Sequence, residues 1–201
     1  MDIPHITPSS STCYSATRSG AARCSAGFTL TELLVVIAVT AVLLAVAVPS
    51  MARMIDSTRL TSYSNSFLAA MYLARSEAIK HNGRVAMCKS DDGLRCTAGG
   101  GWDQGWIVFH DPNDNGVADA GELIVHHTQA LAGGFKLWGN QSVARYISFI
   151  PSGRTRLASG AFQAGTLTLC KESGGTVQAR QIVINNAGRA RVENVAATAC
   201  A

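Results

Sequence analysis

The stretch GFTLTELLVVIAVTAVLLAVAVP, residues 27–49, decides how this chain is organised. Its central part, Leu33 to Val48, contains sixteen residues with no charge and a single threonine. The 21 residues from Phe28 to Val48 are long enough, at about 1.5 Å per helical residue, to cross a hydrocarbon layer about 30 Å thick. We therefore predict one membrane-spanning helix that precedes Pro49.

The residues before this helix predict its orientation. They include Arg18 and Arg23 as bases and Asp2 as the acid. Because positive charge beside a membrane span keeps that flank in the cytoplasm, we expect a single-pass protein with a cytoplasmic N-terminus. Everything after the span is then exported.

The rest of the chain has the composition of a folded domain. Of the 201 residues, 47% are hydrophobic and 15% are charged, which excludes a disordered chain. From residue 50 to 80 there is no glycine or proline, and apolar residues recur at near-helical spacing until His81-Asn82-Gly83 supplies a stop signal. We predict one helix over residues 28–82, kinked at Pro49, whose ring removes a backbone hydrogen bond.

Beyond Gly83 the hydrophobic pattern changes to the two-residue period of strands, and glycine, asparagine and serine recur between the apolar runs. Since the helix comes first and short antiparallel strands follow, the predicted fold class is α+β, with the long helix lying across a sheet. The candidate strands are residues 84–89, 106–110, 123–127, 135–138, 146–150, 166–170, 180–185 and 189–192.

No arrangement of residues in the sequence supports catalysis. The chain lacks the GxSxG, HExxH and P-loop motifs, and no serine or histidine has a spacing that pairs a nucleophile with a base. We therefore expect a protein that assembles or binds rather than an enzyme.

One segment has the spacing of a calcium-binding loop. Oxygen-bearing side chains and a central glycine fit the pattern D-x-[DN]-x-[DN]-G-x5-E, which suits a hard divalent cation. The matching residues are Asp111, Asn113, Asn115, Gly116, Val117, Asp119 and Glu122. However, the flanking WIVFH and ELIVHH segments are strand-like rather than helical, and PNDNG is typical of a hairpin turn. Calcium and a plain turn both stay open, with the turn favoured, and no other cofactor is expected.

Basic residues are concentrated in the C-terminal part. Residues 28–122 contain seven Lys or Arg and ten Asp or Glu, whereas residues 123–201 contain eight and two, so the net charges are −3 and +6. Two arginines separated by one residue project to the same face of a strand, and such clusters favour phosphate. The candidate residues are Arg154, Arg156, Lys171, Arg180, Arg189 and Arg191.

Residues 27–49 also resemble the N-terminus of type IV prepilins. In that family an inner-membrane prepilin peptidase cleaves after a glycine, here Gly27, and methylates the new first residue, here Phe28. The family's glutamate at mature position 5 and proline at mature position 22 match Glu32 and Pro49. The resemblance implies a pilin fold with a leader over residues 1–27, a membrane and filament-core helix half over 28–49, an amphipathic half over 50–82 and a β-rich head over 83–201. It also implies a bacterial inner-membrane location before the chain joins other pilin subunits, with the head periplasmic or extracellular.

Glu32 needs a partner if it lies inside a membrane-length helix, since a carboxylate there costs about 2.5 to 3.5 kcal/mol or more. We expect that partner to be the α-amino group of Phe28 in a neighbouring subunit, which gives Glu32 a role in assembly. The alternative is that the carboxylate reaches the membrane surface.

Four of the six cysteines follow the predicted span. Cys13 and Cys24 lie in the leader that the resemblance implies, on the reducing side of the membrane. An oxidising compartment predicts two disulfides among the other four, and zinc is the alternative, although the sequence has no CxxC pair. Local spacing favours Cys88 with Cys96 and Cys170 with Cys200.

Much of the chain after Pro49 is similar to the FimT/GspH group of minor pilins and pseudopilins. The similarity lies in LARSEAIKHN at 73–82, GWIVFHDPNDNG at 105–116 and AGRARV at 187–192. In FimT-like minor pilins of naturally competent bacteria, a C-terminal GRxR motif contributes to DNA binding, and Gly188, Arg189 and Arg191 match it.

This resemblance implies a minor type IV pilin that binds double-stranded DNA for uptake in natural transformation. Arg189 and Arg191 would make the central contacts, helped by the other basic residues, Arg154, Arg156, Lys171 and Arg180. The alternative is a structural minor pilin or type II secretion pseudopilin that primes filament assembly, with its arginines contacting neighbouring subunits instead of DNA.

Overall fold

The computed structural model describes residues 28–173, 176–196 and 200, and the chain divides into two compact units, Met1–Met51 and Ala52–Ala201. One helix, α1 at Leu30–His81, contributes residues to both units and contains Pro49. Eight strands follow it within the described residues: β1 (Val85–Lys89), β2 (Trp106–His110), β3 (Ile124–Thr128), β4 (Lys136–Gly139), β5 (Tyr146–Phe149), β6 (Gly165–Ser173), β7 (Thr176–Ile184) and β8 (Ala190–Ala196). The predicted α+β class is confirmed, and each candidate strand corresponds to an observed one.

In the described part of the first unit, the helix exposes its apolar side chains. An 18-residue window of α1 has a mean hydropathy of 2.7, and none of this window is buried. Leu43 and Val46, for example, are 63% and 71% exposed. By length and composition this part of the helix can cross a membrane, as the sequence predicts.

The second half of α1 buries one stripe of side chains. Its buried positions recur every three or four residues, which places them on one face of the helix. They are Asp56, Leu60, Ser64, Phe67, Ala70, Met71, Ala74 and Ala78. The amphipathic pattern predicted for residues 50–82 is therefore present from residue 56 onward.

The helix ends at the predicted stop signal. Asn82 adopts a φ of +47°, in the left-handed region, and the amide of Gly83 donates to the carbonyl of Ala78 at 3.3 Å. Asparagine tolerates this conformation, which closes the last turn of a helix in a Schellman-type cap. The direction in which the chain leaves the helix for β1 is fixed by this cap.

The strands are distributed over two antiparallel sheets of four, a division that the alternating sequence pattern does not reveal. The first has the order β3-β2-β1-β5 and the second β4-β6-β7-β8. In the first sheet Met87 lies opposite both Val108 and Ile147. In the second, Ile182 lies opposite Leu167 and Val192.

A hydrophobic core joins the buried stripe of α1 to both sheets. Phe67 is fully buried, and its ring packs edge-on against Trp102 and Trp106 with centroid separations of 5.3 and 5.1 Å. Burying each large apolar side chain contributes about 1.5–3 kcal/mol, so this cluster holds the helix on the sheets. Strand residues that complete the core include Val85, Met87, Val108, Ile147, Leu167, Leu169 and Ile182.

The face of the first sheet that points away from α1 is covered as well. Ala86, Cys88, Ile107 and Phe109 form a second buried cluster, against which Ala118 of the β2–β3 connection packs. All five residues of β1 are consequently buried. A strand with both faces covered has a continuous apolar run, as VAMC does at 85–88.

The structure joins the cysteine pairs that local spacing favours. Cys88 is bonded to Cys96 with a Cα–Cα distance of 5.5 Å, and Cys170 to Cys200 with a distance of 5.9 Å. Cys13 and Cys24 lie outside the described residues. The second bond attaches the C-terminus to buried Cys170 in β6.

Lys89 holds the segment that follows the first disulfide in the β1–β2 connection. Its ammonium donates to the carbonyls of Ala98 and Gly100 at 3.2 and 2.8 Å. Burial, and secondarily the charge of Arg145, lowers the pKa of Lys89. The β1–β2 connection is thus fixed by a disulfide in its first part and by the buried amine of Lys89 just beyond Cys96.

We expect Cys200→Ser to destabilise the protein more than Cys96→Ser. In the chain-entropy account, closing the separation of 30 residues contributes about 3 to 4 kcal/mol, and closing the separation of 8 contributes about 2.5 kcal/mol. Denaturant unfolding of the detergent-solubilised chain measures both losses under oxidising conditions. A smaller loss for Cys200→Ser than for Cys96→Ser would contradict the entropic account of the C-terminal tether.

Candidate nucleic-acid interface

The sequence AGRARV lies in and after a tight turn between β7 and β8. The side-chain oxygen of Asn185 accepts hydrogen bonds from the amides of Ala187 and Arg189, both at 3.1 Å. The amide of Gly188 also donates to the carbonyl of Asn185 at 3.0 Å. Asparagine favours such turns because its side chain can replace a backbone acceptor. Arg189 therefore lies in the turn and β8 begins at Ala190, one residue later than predicted.

Gly188 is required by the geometry of this turn. Its φ is +74°, and a Cβ atom at this position would collide with the carbonyl oxygen of Gly153. Its own carbonyl accepts a hydrogen bond of 3.1 Å from Arg75 of α1. In this chain the glycine of the GRxR pattern thus allows a close approach between two backbone segments.

A second basic segment is attached to this turn. The amide of Thr155 donates to the carbonyl of Asn186 at 3.2 Å, and the Thr155 hydroxyl donates to the carbonyl of Asn185 at 3.1 Å. Thr155 is buried, while Arg154 and Arg156 on either side of it are exposed. Alternate residues of an extended segment share a face, so both arginines point away from the core.

The structure therefore brings together the backbone segments that carry two Arg-x-Arg pairs, although these pairs are distant in the sequence. We call Arg154, Arg156, Arg189 and Arg191 the basic end of the head. All four are exposed, and Arg191 lies on β8, which is an edge strand of the second sheet. The hydrogen-bonded turn and the buried Thr155 fix the backbone here. The four arginine side chains therefore extend from fixed Cα positions.

Arg191 has an acidic neighbour on its own strand. Its Nε atom lies 2.6 Å from Oε1 of Glu193, and the Arg191 side chain is 67% exposed. Surface ion pairs of this kind contribute about 0–1 kcal/mol. A phosphate can consequently displace Glu193 at little energetic cost.

Lys171 does not belong to the basic end, which corrects the sequence prediction. Its ammonium lies 2.6 Å from Oδ1 of Asp56 on α1 and 5.1 Å from the ring centroid of Phe135. The two charged side chains are only 21% and 10% exposed. Since Lys171 follows buried Leu167 and Leu169 at the two-residue period of β6, it faces the helix and neutralises a carboxylate there.

Arg180 lies apart from the basic end as well, and its predicted contribution to DNA binding stays a prediction. It precedes Ile182 and Ile184 at the two-residue period of β7, and both isoleucines are buried in the core. Arg191, by contrast, lies opposite Val183, on the other face of the sheet. Arg180 therefore projects from the helix-facing side, where it lines a shallow hollow with Ser57 and Leu60. The charge and spacing of Arg180 can be read from the sequence, whereas the face of the sheet on which it lies cannot.

The predicted processing and assembly residues lie at the start of α1. Gly27 is outside the described residues, and Phe28 is 84% exposed. The amide of Glu32 donates to the Thr29 hydroxyl at 3.2 Å, so Thr29 caps the helix and α1 begins at Leu30 rather than Phe28. T-x-x-E at 29–32 has the spacing of a capping box, a sequence signal that could have located this cap. The observed bond uses the backbone amide of Glu32, so the assembly role of its carboxylate stays a prediction.

The calcium-like segment is built as a self-bonded turn. Both carboxylate oxygens of Asp111 accept backbone amides, from Asn115 at 3.0 Å and from Gly116 at 2.8 Å. The side-chain amides of Asn113 and Asn115 both donate to Asp119 at 2.7 Å. The amide nitrogens of these two asparagines, rather than their oxygens, are therefore directed at Asp119. Calcium binding stays a prediction, and this geometry favours the turn alternative.

Three carboxyl groups of this segment have shifted pKa values. Burial raises the pKa of Asp111 in spite of its two backbone hydrogen bonds, and burial also raises the pKa of Glu122. Hydrogen bonds from Asn113 and Asn115 lower the pKa of Asp119. Asp119 is thus the acid that this turn stabilises in its charged form.

Two family models match the chain, and they confirm the resemblance found in the sequence. The model of the type II transport protein GspH matches residues 64–188. The prokaryotic N-terminal methylation motif matches residues 22–48. Arg154 and Arg156 lie inside the first match, whereas Arg189 and Arg191 follow its last residue, Gly188.

Among solved structures, two crystal forms of the type IV minor pilin FimU from Pseudomonas aeruginosa are similar to this chain. The first is 18% identical with a TM-score of 0.49 and covers 69% of this chain and 90% of that chain. The second is 19% identical with a TM-score of 0.46 and covers 67% and 92%. No curated protein matches the chain significantly.

We predict that Lys171→Met lowers stability without lowering DNA affinity. The substitution leaves the Asp56 carboxylate without its partner; breaking a fully buried pair costs about 3 to 5 kcal/mol, and partial exposure reduces this to about 1 to 3 kcal/mol. Arg154→Met, which removes an exposed charge, is the matched control and should leave the free energy of unfolding within about 0.5 kcal/mol of the parent. If Lys171→Met were as stable as the parent but bound DNA more weakly, Lys171 would belong to the DNA-binding surface.

Proposed function

This chain belongs to the family of the type II transport protein GspH and carries the prokaryotic N-terminal methylation motif, and on that premise we propose that it is a minor pilin that binds DNA. A prepilin peptidase cleaves it between Gly27 and Phe28 while it spans the inner membrane with its N-terminus in the cytoplasm. It then enters a type IV pilus with other pilin subunits and presents its head for DNA uptake in natural transformation.

The observation that carries the proposal is the convergence of two Arg-x-Arg pairs. Thr155, between Arg154 and Arg156, is hydrogen-bonded to the turn at 185–189. This turn leads directly to Arg189 and Arg191. Guanidinium groups form bidentate, charge-assisted hydrogen bonds with phosphate oxygens. Four exposed arginines on joined, rigid segments therefore supply a surface that suits a nucleic-acid backbone.

The same surface argues for recognition without sequence preference. All four residues of the basic end are exposed arginines, and guanidinium groups bind the phosphate oxygens that every DNA sequence shares. Contacts with phosphate fix the position of the duplex but carry no sequence information. A receptor that must accept any incoming DNA needs this kind of contact.

A structural minor pilin or type II secretion pseudopilin without DNA binding is the second candidate. The ion pair between Arg191 and Glu193 favours it, since a carboxylate can satisfy this arginine in the absence of phosphate. The basic end would then contact acidic surfaces of neighbouring subunits. The two candidates differ in whether the isolated subunit binds DNA.

We predict that replacing Arg189 and Arg191 together with glutamine weakens DNA binding on any sequence. Each lost phosphate contact removes about 0.9 from the slope of log K against log salt, so the double variant should lower the slope by about 2. Fluorescence anisotropy with two unrelated duplexes, over a salt titration of the detergent-solubilised chain, measures both quantities.

The matched control replaces Arg95 and Lys136 with glutamine. Both residues are exposed and the change in net charge is the same, but Lys136 lies on β4, at the opposite edge of the second sheet from β8. The control should retain the affinity and salt slope of the parent. If the two double variants lose affinity equally, binding reflects net charge and the basic end is not the receptor site.

We predict that Gly27→Leu and Glu32→Gln block two different steps. Gly27→Leu obstructs the scissile bond and should accumulate the uncleaved precursor. Glu32→Gln removes the charge that pairs with an incoming amino terminus, so the variant should be processed but should fail to enter filaments. Immunoblots of cell membranes and of sheared filaments distinguish the two results.

Glutamine is the informative replacement because of the helix cap. Glutamine keeps the size of glutamate and is accepted three residues after the capping threonine in the S/T-x-x-E/Q pattern, so it removes the charge alone. A defect that appears with Glu32→Ala and is absent with Glu32→Gln would assign Glu32 to capping. Normal filament entry of both variants would refute the assembly role.

A further inference from the structure

We propose that Glu77, His81 and His110 form a binding site for a divalent transition metal of the zinc class. The three side chains come from the last turn of α1 and the end of β2 and include none of the residues of the basic end. Within the described residues they form a group whose ligand atoms all lie within 4.8 Å of one another. The proposal is independent of DNA binding.

The backbone places the three ligands before any metal binds. Glu77 and His81 are four residues apart on α1 and therefore lie on the same face of the helix. The helix ends immediately afterward in the cap at Asn82 and Gly83. The amide of His110 donates to the carbonyl of Leu123 at 3.0 Å, which holds the end of β2. A site assembled on two fixed element ends needs little reorganisation.

The distances suit one small ion. Oε2 of Glu77 lies 3.0 Å from Nε2 of His81 and 3.8 Å from Nε2 of His110. Zinc bonds of about 2.0 to 2.1 Å in a tetrahedron separate neighbouring ligand atoms by about 3.4 Å. Small rotations of the three side chains bring both separations to this value. The two imidazole rings are already in contact edge-to-face, with centroids 4.8 Å apart and an interplanar angle of 71°.

His110 supplies a second, independent observation. Its Nε2 atom is buried and has no hydrogen-bond partner. Buried polar atoms without a partner are rare and require an explanation such as an ion or an unplaced water. A metal ion bound between this nitrogen and Glu77 would give the nitrogen a partner.

The donor set selects the class of metal. Two imidazole nitrogens and one carboxylate oxygen suit zinc, copper, nickel or iron, whereas calcium and magnesium take oxygen ligands. His81 has a side-chain exposure of 46%, so a fourth position is open to water. Lys80 lies 3.6 Å from the other oxygen of Glu77 and leaves Oε2 available. The ion would connect the end of α1 to β2 and thereby brace the head.

The test uses the full chain without an affinity tag, in detergent and stripped with a chelator. Zinc is titrated in competition with a chromophoric chelator, and cobalt is added separately to record its visible absorption. We expect one zinc per chain, an intense cobalt spectrum of a four-coordinate site, and an increased unfolding temperature with zinc. Binding of zinc only at millimolar concentration, or a weak six-coordinate cobalt spectrum, would overturn the proposal.

Matched variants locate the ion. His81→Gln removes an exposed ligand and should reduce zinc affinity by more than about 10-fold, because even the loss of a supporting residue costs about 10- to 100-fold. Glu77→Gln should behave alike, and far-ultraviolet circular dichroism checks the fold of each variant. His126→Gln removes an exposed histidine of β3 and should bind zinc as the parent does. Equal zinc affinity of His81→Gln, Glu77→Gln and the parent would identify the binding as adventitious.

Discussion

The burial of one stripe of α1 is the constraint on which the head depends. Phe67 is at its centre, packed edge-on against Trp102 and Trp106, while core strands of both sheets close around it. Trp102 lies in the segment that joins β1 and β2, and Trp106 is the first residue of β2, so these aromatic contacts couple the helix to the first sheet. Residues of the second sheet, such as Leu169 and Ile182, reach the same core, and the helix thereby connects sheets that share no strand.

The ends of the buried stripe carry polar contacts that position the functional surfaces. At one end Asp56 pairs with Lys171 and fixes β6 against the helix. Toward the other, Arg75 donates to the carbonyl of Gly188 and Tyr72 to that of Ala190, at 3.1 and 3.3 Å. The turn that presents Arg189 and Arg191 is therefore held by the same helix that buries the core. The second half of α1 and the basic end therefore belong to one compact unit, residues 52–201.

Much of this architecture could be predicted because it follows from local patterns. The apolar run, the stop at Asn82 and Gly83, the eight strands and the local cysteine spacing are each encoded in a few neighbouring residues. The division into two sheets could not be predicted, since it depends on long-range pairing. The same limit explains the errors at Lys171 and Arg180, whose charges were counted correctly but whose faces depend on contacts with α1.

The contact between the segment at 154–156 and the turn at 185–189 was equally invisible in the sequence. It depends on Thr155 and on the absence of a side chain at Gly188, neither of which carries charge. The cluster of Glu77, His81 and His110 was missed for a related reason. Glu-x3-His on a helix is a weak signal until a strand places a second histidine beside it.

We propose that DNA binds the basic end and not the head at large. Hydrogen exchange of the detergent-solubilised chain, followed by mass spectrometry with and without duplex DNA, distinguishes the two. We expect slower exchange confined to peptides that cover residues 153–156 and 185–192, with the effect lost at high salt. Protection spread over both sheets, or concentrated in the loop at 111–122, would contradict it.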